Sequence, residues 1–103
     1  MALSPIEIQT ILKARGLYPG ALDGLLGKQS RAGIDIVLNR LGLNISGWVD
    51  VRRQIAFEQS IYKEAGIEVG AIDGLVGEQT RYAREVYADR KKGSNDAETW
   101  RDK

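Results

Sequence analysis

Apolar side chains recur along the chain at the spacing of α-helices. The first such segment follows Ser4, which is placed to cap a helix, and Glu7, which is placed to close a capping box. Gly16 is placed to end that helix in the left-handed conformation. The pattern predicts a first helix over about residues 5–15, and its apolar stripe is formed by Ile8, Ile11 and Leu12.

The same periodicity predicts three further helices, over about residues 28–41, 51–65 and 78–91. Asp50 is placed to cap the third of them. No segment alternates polar and apolar residues with the period of two that marks a β-strand. The expected fold is therefore an all-α, small helical domain.

A polar stretch from Lys91 to Asp96 is expected to end the fourth helix. Residues 93–103 are then a polar tail or the start of a further helix, capped by Asn95 or Asp96. On this division the folded domain covers residues 1–92.

The third predicted helix has an unusually broad apolar face. At 100° per residue its apolar side chains fill an arc of roughly 160°, whereas an ordinary surface helix has a stripe of about 100°. A helix of this kind is expected to pack on two sides. The residues of the arc are Val51, Ile55, Phe57, Ile61, Tyr62 and Ala65.

A stretch of ten residues occurs twice, as GALDGLLGKQ at 20–29 and as GAIDGLVGEQ at 70–79. With a constant offset of 50, the register runs from residues 9–40 to residues 59–90, and 13 of the 32 pairs are identical. Such self-similarity indicates one supersecondary unit used twice. We expect two helix–loop–helix units, about residues 4–56 and 51–92, that share the third helix.

Each copy is predicted to be a bent connector between two helices. Asp-Gly favours a turn, because Asp accepts hydrogen bonds from nearby backbone N–H groups and Gly tolerates positive φ. The leucines of the loop would pin it to the core. The glycines to which a structural turn role is assigned are Gly20, Gly24, Gly27, Gly70, Gly74 and Gly77.

Composition then narrows the classes of function. The chain has 15 Lys+Arg against 14 Asp+Glu, so its charge predicts no attraction to nucleic acid or to an anionic membrane. It has no Cys and no His, which removes thiol chemistry, the usual base of a nucleophilic triad and the commonest zinc ligands. We expect no metal and no cofactor.

The first residues show neither the basic nor the apolar segment of a secretory signal. No run approaches the ~18 apolar residues of a membrane span. The chain is therefore expected to be made in the cytoplasm and to reach any external site of action only after release.

The loop pattern Gly16-x-x-x-Gly20-x-x-Asp23-Gly24-x-x-Gly27-x-x-Ser30, set between two helices, resembles the three-helix peptidoglycan-binding domain of phage endolysins and bacterial cell-wall hydrolases. The resemblance covers residues 4–56, and the second copy repeats its loop through Arg81. Two features depart from the family pattern. Ser30 stands where the family has Thr, and the Phe-Gln that ends the family's second helix is missing from both copies.

The resemblance implies a non-catalytic module that targets the cell wall, with peptidoglycan (glycan or stem peptide) as its partner and a catalytic hydrolase domain in cis or trans. Its binding surface is expected beside the loops. The arginines could meet a stem-peptide carboxylate, Tyr18 could stack on a sugar, and the aspartates could contact ligand. The candidate ligand-binding residues are Tyr18, Asp23, Gln29, Arg31, Asp73, Gln79 and Arg81.

Structural interpretations of these residues stay open beside the functional ones. The aspartates can serve as turn formers and the arginines can be solvated. Tyr18 can be packed in the loop or the core.

Two other classes of function also remain. The chain can be a helical protein-interaction module without glycan binding, or a small muramidase. Glycosidases need two carboxylates in different environments, and Asp23 and Asp73 have the same sequence context, which favours binding over cleavage.

Overall fold

The computed structural model describes the backbone of residues 2–101 and the side chains of residues 2–90. The described residues form four helices joined by loops, and no strand occurs among them. The all-α prediction is confirmed. The helices are α1 (Pro5–Ala14), α2 (Lys28–Arg40), α3 (Asp50–Glu64) and α4 (Glu78–Arg101).

Two predicted helix boundaries are wrong. Helix α4 does not end at the polar stretch after residue 91 but continues to Arg101. Lys, Ala, Glu and Asp are compatible with a helix, and one internal glycine costs only about 1 kcal/mol, so polarity alone does not end a helix. The second correction concerns α3, whose N-cap is Val49, while Asp50 lies in the first turn. In the first turn its carboxylate still interacts favourably with the helix dipole.

The start of α1 agrees with its sequence signature. The Ser4 hydroxyl accepts a hydrogen bond from the Glu7 N–H at 3.2 Å, and the Glu7 carboxylate accepts one from the Ser4 N–H at 3.0 Å. Leu3 and Ile8 on either side of this capping box are both buried. The box and its apolar neighbours therefore fix the direction in which the chain enters the domain.

Helix α3 is the central element of the fold. It contacts α2 on one side and α4 on the other, and seven consecutive residues, 56–62, are buried. Within the predicted arc, Phe57, Ile61 and Tyr62 are buried, whereas Val51 and Ala65 lie exposed near the two ends. Burial on every side over two turns confirms the expected packing on two faces.

The hydrophobic core draws on every helix and on the loops between them. Trp48, in the loop before α3, packs against the core while the Arg52 guanidinium lies over its ring, 4.0 Å from the ring centre. Trp48 therefore contributes part of a half-buried side chain to the core. The fully formed core contains Leu3, Ile8, Leu12, Tyr18, Ile34, Val37, Leu38, Ile45, Ala56, Phe57, Ile61, Tyr62, Ile67, Val69 and Ala83.

Between α3 and α4 the core contains a buried ion pair. The Glu58 carboxylate accepts two hydrogen bonds from the Arg84 guanidinium, both at 2.8 Å, and one each from the Tyr62 hydroxyl and the Leu3 N–H. Hydrogen bonding to Glu58 raises the pKa of Arg84. Burial, followed by the hydrogen bond to Glu58, raises the pKa of Tyr62. Arg84 therefore remains charged at neutral pH.

The residues that lie 50 positions earlier in the chain form an apolar counterpart of this network. In the first unit the residues equivalent to Glu58, Tyr62 and Arg84 are Ile8, Leu12 and Ile34, all of them buried. Equivalent positions are therefore occupied by apolar side chains in the first unit and by a hydrogen-bonded ion pair in the second.

Among the described residues, no helix combines the length and the apolar composition that crossing a membrane requires.

We expect Arg84→Ile to destabilise the domain by about 3–5 kcal/mol, because it leaves the buried Glu58 carboxylate without its partner. The double variant Glu58→Ile/Arg84→Ile copies Ile8 and Ile34 of the first unit. It should regain most of that loss, short of about 1–2 kcal/mol for the Tyr62 hydroxyl and Leu3 N–H that lose their acceptor. Urea unfolding followed by circular dichroism measures both. A double variant as unstable as Arg84→Ile would contradict the prediction.

Candidate functional site

The first Asp-Gly loop is held by one buried side chain, Gln9 of α1. Its Oε1 accepts a hydrogen bond from the Gly24 N–H at 2.9 Å. Its Nε2 donates to the Leu25 carbonyl at 2.8 Å and to Asp23 Oδ1 at 3.0 Å. A single amide thus satisfies three groups of a loop that has no secondary structure of its own. Two hydroxyls also lie 3.3 Å from Nε2, those of Tyr18 and Ser30.

Gln59 of α3 holds the second loop in the same way. Its Oε1 accepts from the N–H groups of Asp73 at 3.0 Å and Gly74 at 2.9 Å. Its Nε2 donates to the Leu75 carbonyl and to the Thr80 hydroxyl, both at 3.0 Å. The equivalent contacts are made at positions 50 residues apart, so both loops have the same internal scaffold.

Both aspartates act as turn formers. Asp23 Oδ1 accepts from the Leu25 N–H, and Asp73 Oδ1 accepts from the Leu75 N–H, each at 2.9 Å. The hydrogen bond from Leu25, followed by that from Gln9, lowers the pKa of the Asp23 carboxyl. The structural interpretation of the two aspartates is therefore met, and Asp23 remains ionised at neutral pH.

The glutamines themselves are functional residues of the scaffold that the sequence reasoning missed. Both are polar residues on the apolar face of a helix, and they form the first identical pair of the repeat register. A buried polar side chain needs partners. A glutamine on the apolar face of a helix, repeated at the equivalent position of the second unit, is therefore the sequence signal that indicates these two residues.

The two Asp-Gly turns contain the glycine conformation that was predicted. Gly24 has φ +77° and Gly74 has φ +74°. Gly70 shares the left-handed region, whereas Gly20 is needed for space, because a Cβ there would lie 2.6 Å from the Tyr18 hydroxyl. The remaining two, Gly27 and Gly77, have no positive φ and no atom within 4 Å of a Cβ, so the turn does not require glycine there.

A shallow depression lies beside each loop, where the next helix begins. The first has a volume of about 240 Å³ and the second of about 360 Å³. Their linings include the buried residues Ser30 and Thr80, whose hydroxyls the glutamines bind. The first is lined by Tyr18, Asp23, Leu25, Gly27, Lys28, Gln29 and Ser30, and the second by Gln59, Val69, Ala71, Asp73, Leu75, Gly77, Glu78, Gln79 and Thr80.

The predicted site residues are only partly brought together. Asp23 and Gln29 line the first depression, and Asp73 and Gln79 line the second. Tyr18 also reaches the first depression, but it is only 6% exposed, so the expectation of an aromatic platform for a sugar ring is wrong. Its hydroxyl donates to the Ala21 carbonyl and keeps the ring within the loop.

Both arginines lie outside the depressions. Arg31 forms an ion pair with Asp50 at 2.8 Å, in a cleft between α2 and α3, and its Nε donates to the Gly27 carbonyl at 3.3 Å. Arg81, its equivalent in α4, is exposed and lines neither depression. An arginine at this position begins one helical turn beyond the loop, and in neither copy does its side chain line the depression.

Chemically, the depressions offer amides, hydroxyls and carboxylates. The described residues contain no group of three or more His, Cys, Asp or Glu side chains arranged to hold a metal ion. The charge at the first helical position differs between the copies, with Lys28 in the first depression and Glu78 in the second. Such surfaces suit hydrogen bonding to a polar ligand.

Comparisons with the models of known protein families, with curated proteins and with solved structures gave no match to this chain.

The glutamine scaffold predicts a large difference between two glutamines of the second unit. Gln59→Leu should destabilise the domain by about 2–4 kcal/mol, because it leaves buried loop N–H groups without an acceptor. Gln79→Leu is the matched control, since Gln79 is exposed and has no side-chain hydrogen bond within the described residues. It should change stability by less than about 0.5 kcal/mol. Urea unfolding and amide hydrogen exchange at Gly74 measure the effect, and equal stability of the two variants would contradict it.

The two turn glycines should differ in their sensitivity to alanine. Both variants place a Cβ at positive φ, which costs about 1–2 kcal/mol. At Gly74 the Cβ would also lie 2.4 Å from the Arg52 carbonyl oxygen, whereas at Gly24 its nearest atom is 3.2 Å away in the flexible Ile6 side chain. Thermal and urea unfolding should therefore show a greater loss for Gly74→Ala than for Gly24→Ala. A loss that is equal, or greater for Gly24→Ala, would refute this account.

Proposed function

We propose that this protein is a non-catalytic module that binds peptidoglycan, and that each Asp-Gly loop supplies one shallow binding depression. The observation that carries the proposal is the repetition of the depression, with Asp, Leu, Gly, Gln and a hydroxyl residue at equivalent positions in both loops. The loop sequence resembles that of peptidoglycan-binding domains, which supports the same function.

A repeated site suits a repeated ligand. Peptidoglycan presents the same sugar and stem-peptide groups many times over, so two weak sites on one rigid domain can engage neighbouring units of one polymer. Binding at the first site then raises the effective concentration at the second. A shallow site by itself should bind only at the μM level or more weakly, because ordering and desolvation offset much of its contact energy.

The polar groups of each depression fit the polar groups of that polymer. Gln29 and Gln79 present exposed amides that can pair with the carbonyl and N–H groups of an N-acetyl sugar or a peptide. In the first depression Lys28 adds a cation beside a helix start that has no side-chain cap. A carboxylate of the stem peptide is therefore the group we place there.

Binding rather than cleavage is supported by the state of the carboxylates. A glycosidase acid needs a raised pKa, but hydrogen bonds lower the pKa of Asp23. Asp73 makes the equivalent hydrogen bond to its own turn. The module would therefore deliver a hydrolase domain, in cis or trans, to the wall after release from the cytoplasm.

One observation favours a second candidate function, a protein-interaction module. Leu25 and Leu75 occupy equivalent loop positions and are 71% and 57% exposed. Two leucines displayed at equivalent places could enter apolar pockets of a protein partner.

Sedimentation with purified cell-wall sacculi tests the proposal. The parent protein should sediment with the sacculi. The variants Lys28→Ala/Gln29→Ala and Glu78→Ala/Gln79→Ala should each weaken binding several-fold, and the combination of all four substitutions should reduce it to background. All of these residues are exposed, so circular dichroism should be unchanged.

Asn39→Ala/Arg40→Ala is the matched control. It removes one amide and one cation from exposed positions of the same helix as Lys28 and Gln29, but at the opposite end of α2. It should sediment like the parent. A folded quadruple variant that still sediments would show that the depressions are not the site. A parent protein that does not sediment would overturn the proposed function in favour of a protein partner for the exposed leucines.

A further inference from the structure

The two loop depressions differ in size and in charge. The second has a volume of about 360 Å³ against about 240 Å³ for the first, and it falls within the ~300–1,000 Å³ typical of small-molecule sites. The lining of the second includes the carboxylates of Asp73 and Glu78 and no basic side chain. The lining of the first combines Asp23 with Lys28. An anionic group is therefore repelled from the second depression but not from the first.

An exposed aromatic side chain begins one helical turn beyond the second depression. Tyr82 is 60% exposed, and it follows the lining residues Glu78 and Gln79 along α4. With a turn of about 100° per residue, its position lies between theirs around the helix, and aromatic side chains of a helix lean toward the N-terminus. This geometry brings the Tyr82 ring toward the rim of the depression. The equivalent residue of the first unit is Ala32, so the aromatic belongs to the second unit alone.

The lining of the second depression also offers a free acceptor, a free amide and an apolar wall. Both hydrogen bonds to the Asp73 side chain use Oδ1, so Oδ2 accepts none from any described residue. The exposed Gln79 amide makes no hydrogen bond within the described residues, and it can both donate and accept. Val69, Ala71 and Leu75 form the apolar wall. A ligand that fits must therefore combine polar groups, a methyl-sized apolar group and a flat face for the aromatic ring.

An N-acetylhexosamine meets these requirements. The C–H groups on one face of its pyranose ring carry partial positive charge, which suits the negative face of an aromatic ring. Its hydroxyls can donate to a carboxylate, and its acetamido group can pair with an amide. The acetyl methyl group gains from apolar contact. The sugar has no net charge, so an acidic lining does not repel it.

We propose that the second depression binds an uncharged N-acetylhexosamine, with the sugar ring stacked on Tyr82. The acetyl methyl group contacts Leu75, the acetamido group pairs with Gln79, and one hydroxyl donates to Asp73 Oδ2. The inference rests on the proposed function and divides it between the loops, with the stem-peptide carboxylate in the first depression and a neutral sugar in the second. A sugar that carries a carboxylate, such as N-acetylmuramic acid, is disfavoured there by Asp73 and Glu78.

The methyl β-glycosides of free sugars separate these contacts. N-acetylglucosamine offers all of them, and glucose lacks the acetamido group. N-acetylmuramic acid adds a lactyl carboxylate, and its methyl ester keeps the added bulk without the charge. Comparing the acid with its ester therefore distinguishes the effect of charge from that of size.

Titration followed by amide chemical shifts should give saturable shifts at Ala71, Leu75 and Gln79 with N-acetylglucosamine. We expect a Kd of about 1–10 mM for so small a ligand. Glucose should bind at least about fivefold more weakly, because the Gln79 amide and the apolar wall lose their partners. N-acetylmuramic acid should bind about three- to tenfold more weakly than its methyl ester at low salt. That difference should shrink at about 1 M salt, where the Debye length is ~3 Å.

Tyr82→Ala should weaken binding of N-acetylglucosamine at least about fivefold, whereas Tyr82→Phe should retain it, because phenylalanine keeps the ring. Glu78→Gln should bring the Kd of N-acetylmuramic acid closer to that of its ester. Ile36→Ala is the matched control, since it removes an exposed apolar side chain from α2 of the first unit, and it should leave the Kd unchanged. All of these side chains are exposed, so circular dichroism should be unchanged.

Absence of saturable shifts at tenfold the expected Kd, shifts confined to the first loop, or equal binding by Tyr82→Ala would each overturn the inference. Equal binding of N-acetylmuramic acid and its ester at low salt would overturn the discrimination against anions. If N-acetylglucosamine does not bind while the parent sediments with sacculi, the inference is wrong and the proposed function stands. If the sugar binds while the parent does not sediment, the sugar site stands and the proposed function is wrong.

Discussion

The structure depends on two buried glutamine amides that supply the loops with the hydrogen bonds that regular secondary structure supplies elsewhere. Each loop must turn sharply between two helices, and its N–H and C=O groups have no ladder to join. Gln9 and Gln59 supply the missing partners from inside the core, with one acceptor and one donor group on a single rigid plane. Because each amide belongs to a helix, its hydrogen bonds fix the loop relative to that helix. The depressions beside the loops are therefore preformed, which lowers the entropy that a ligand would otherwise have to remove.

Helix α3 combines three tasks. It packs on α2 through apolar residues, it binds α4 through the Glu58–Arg84 pair, and it holds the second loop through Gln59. This explains why consecutive residues over two turns are buried and why polar ones are among them. Over these two turns the helix has no solvent face, so its polar side chains lie inside the domain and are paired there.

Much of the fold could be predicted from the sequence because local chemistry determined it. Ser4 and Glu7 specified the start of α1, and the Asp-Gly pairs specified turns that only glycine adopts easily. Tyr18 and Arg31 were harder to place, since burial of an aromatic loop residue and the direction of a helix side chain depend on tertiary contacts. The extent of α4 was misjudged because a polar run resembles a linker in composition, although polarity by itself does not end a helix. The glutamine scaffold could not be predicted, because it depends on a tertiary contact between a buried polar side chain and a loop about 15 residues away.

The polar second unit has a consequence for how far this architecture can be extended. Stacked repeats grow by offering each new helix the same apolar face, and they stop where that face becomes polar. Positions 34 and 38 of α2 are buried Ile and Leu, whereas the equivalent positions of α4 are Arg84, engaged with Glu58, and exposed Ala88. At these two positions the described part of α4 therefore presents a polar side chain and a small one, and lacks the apolar surface that α2 offers to its neighbours.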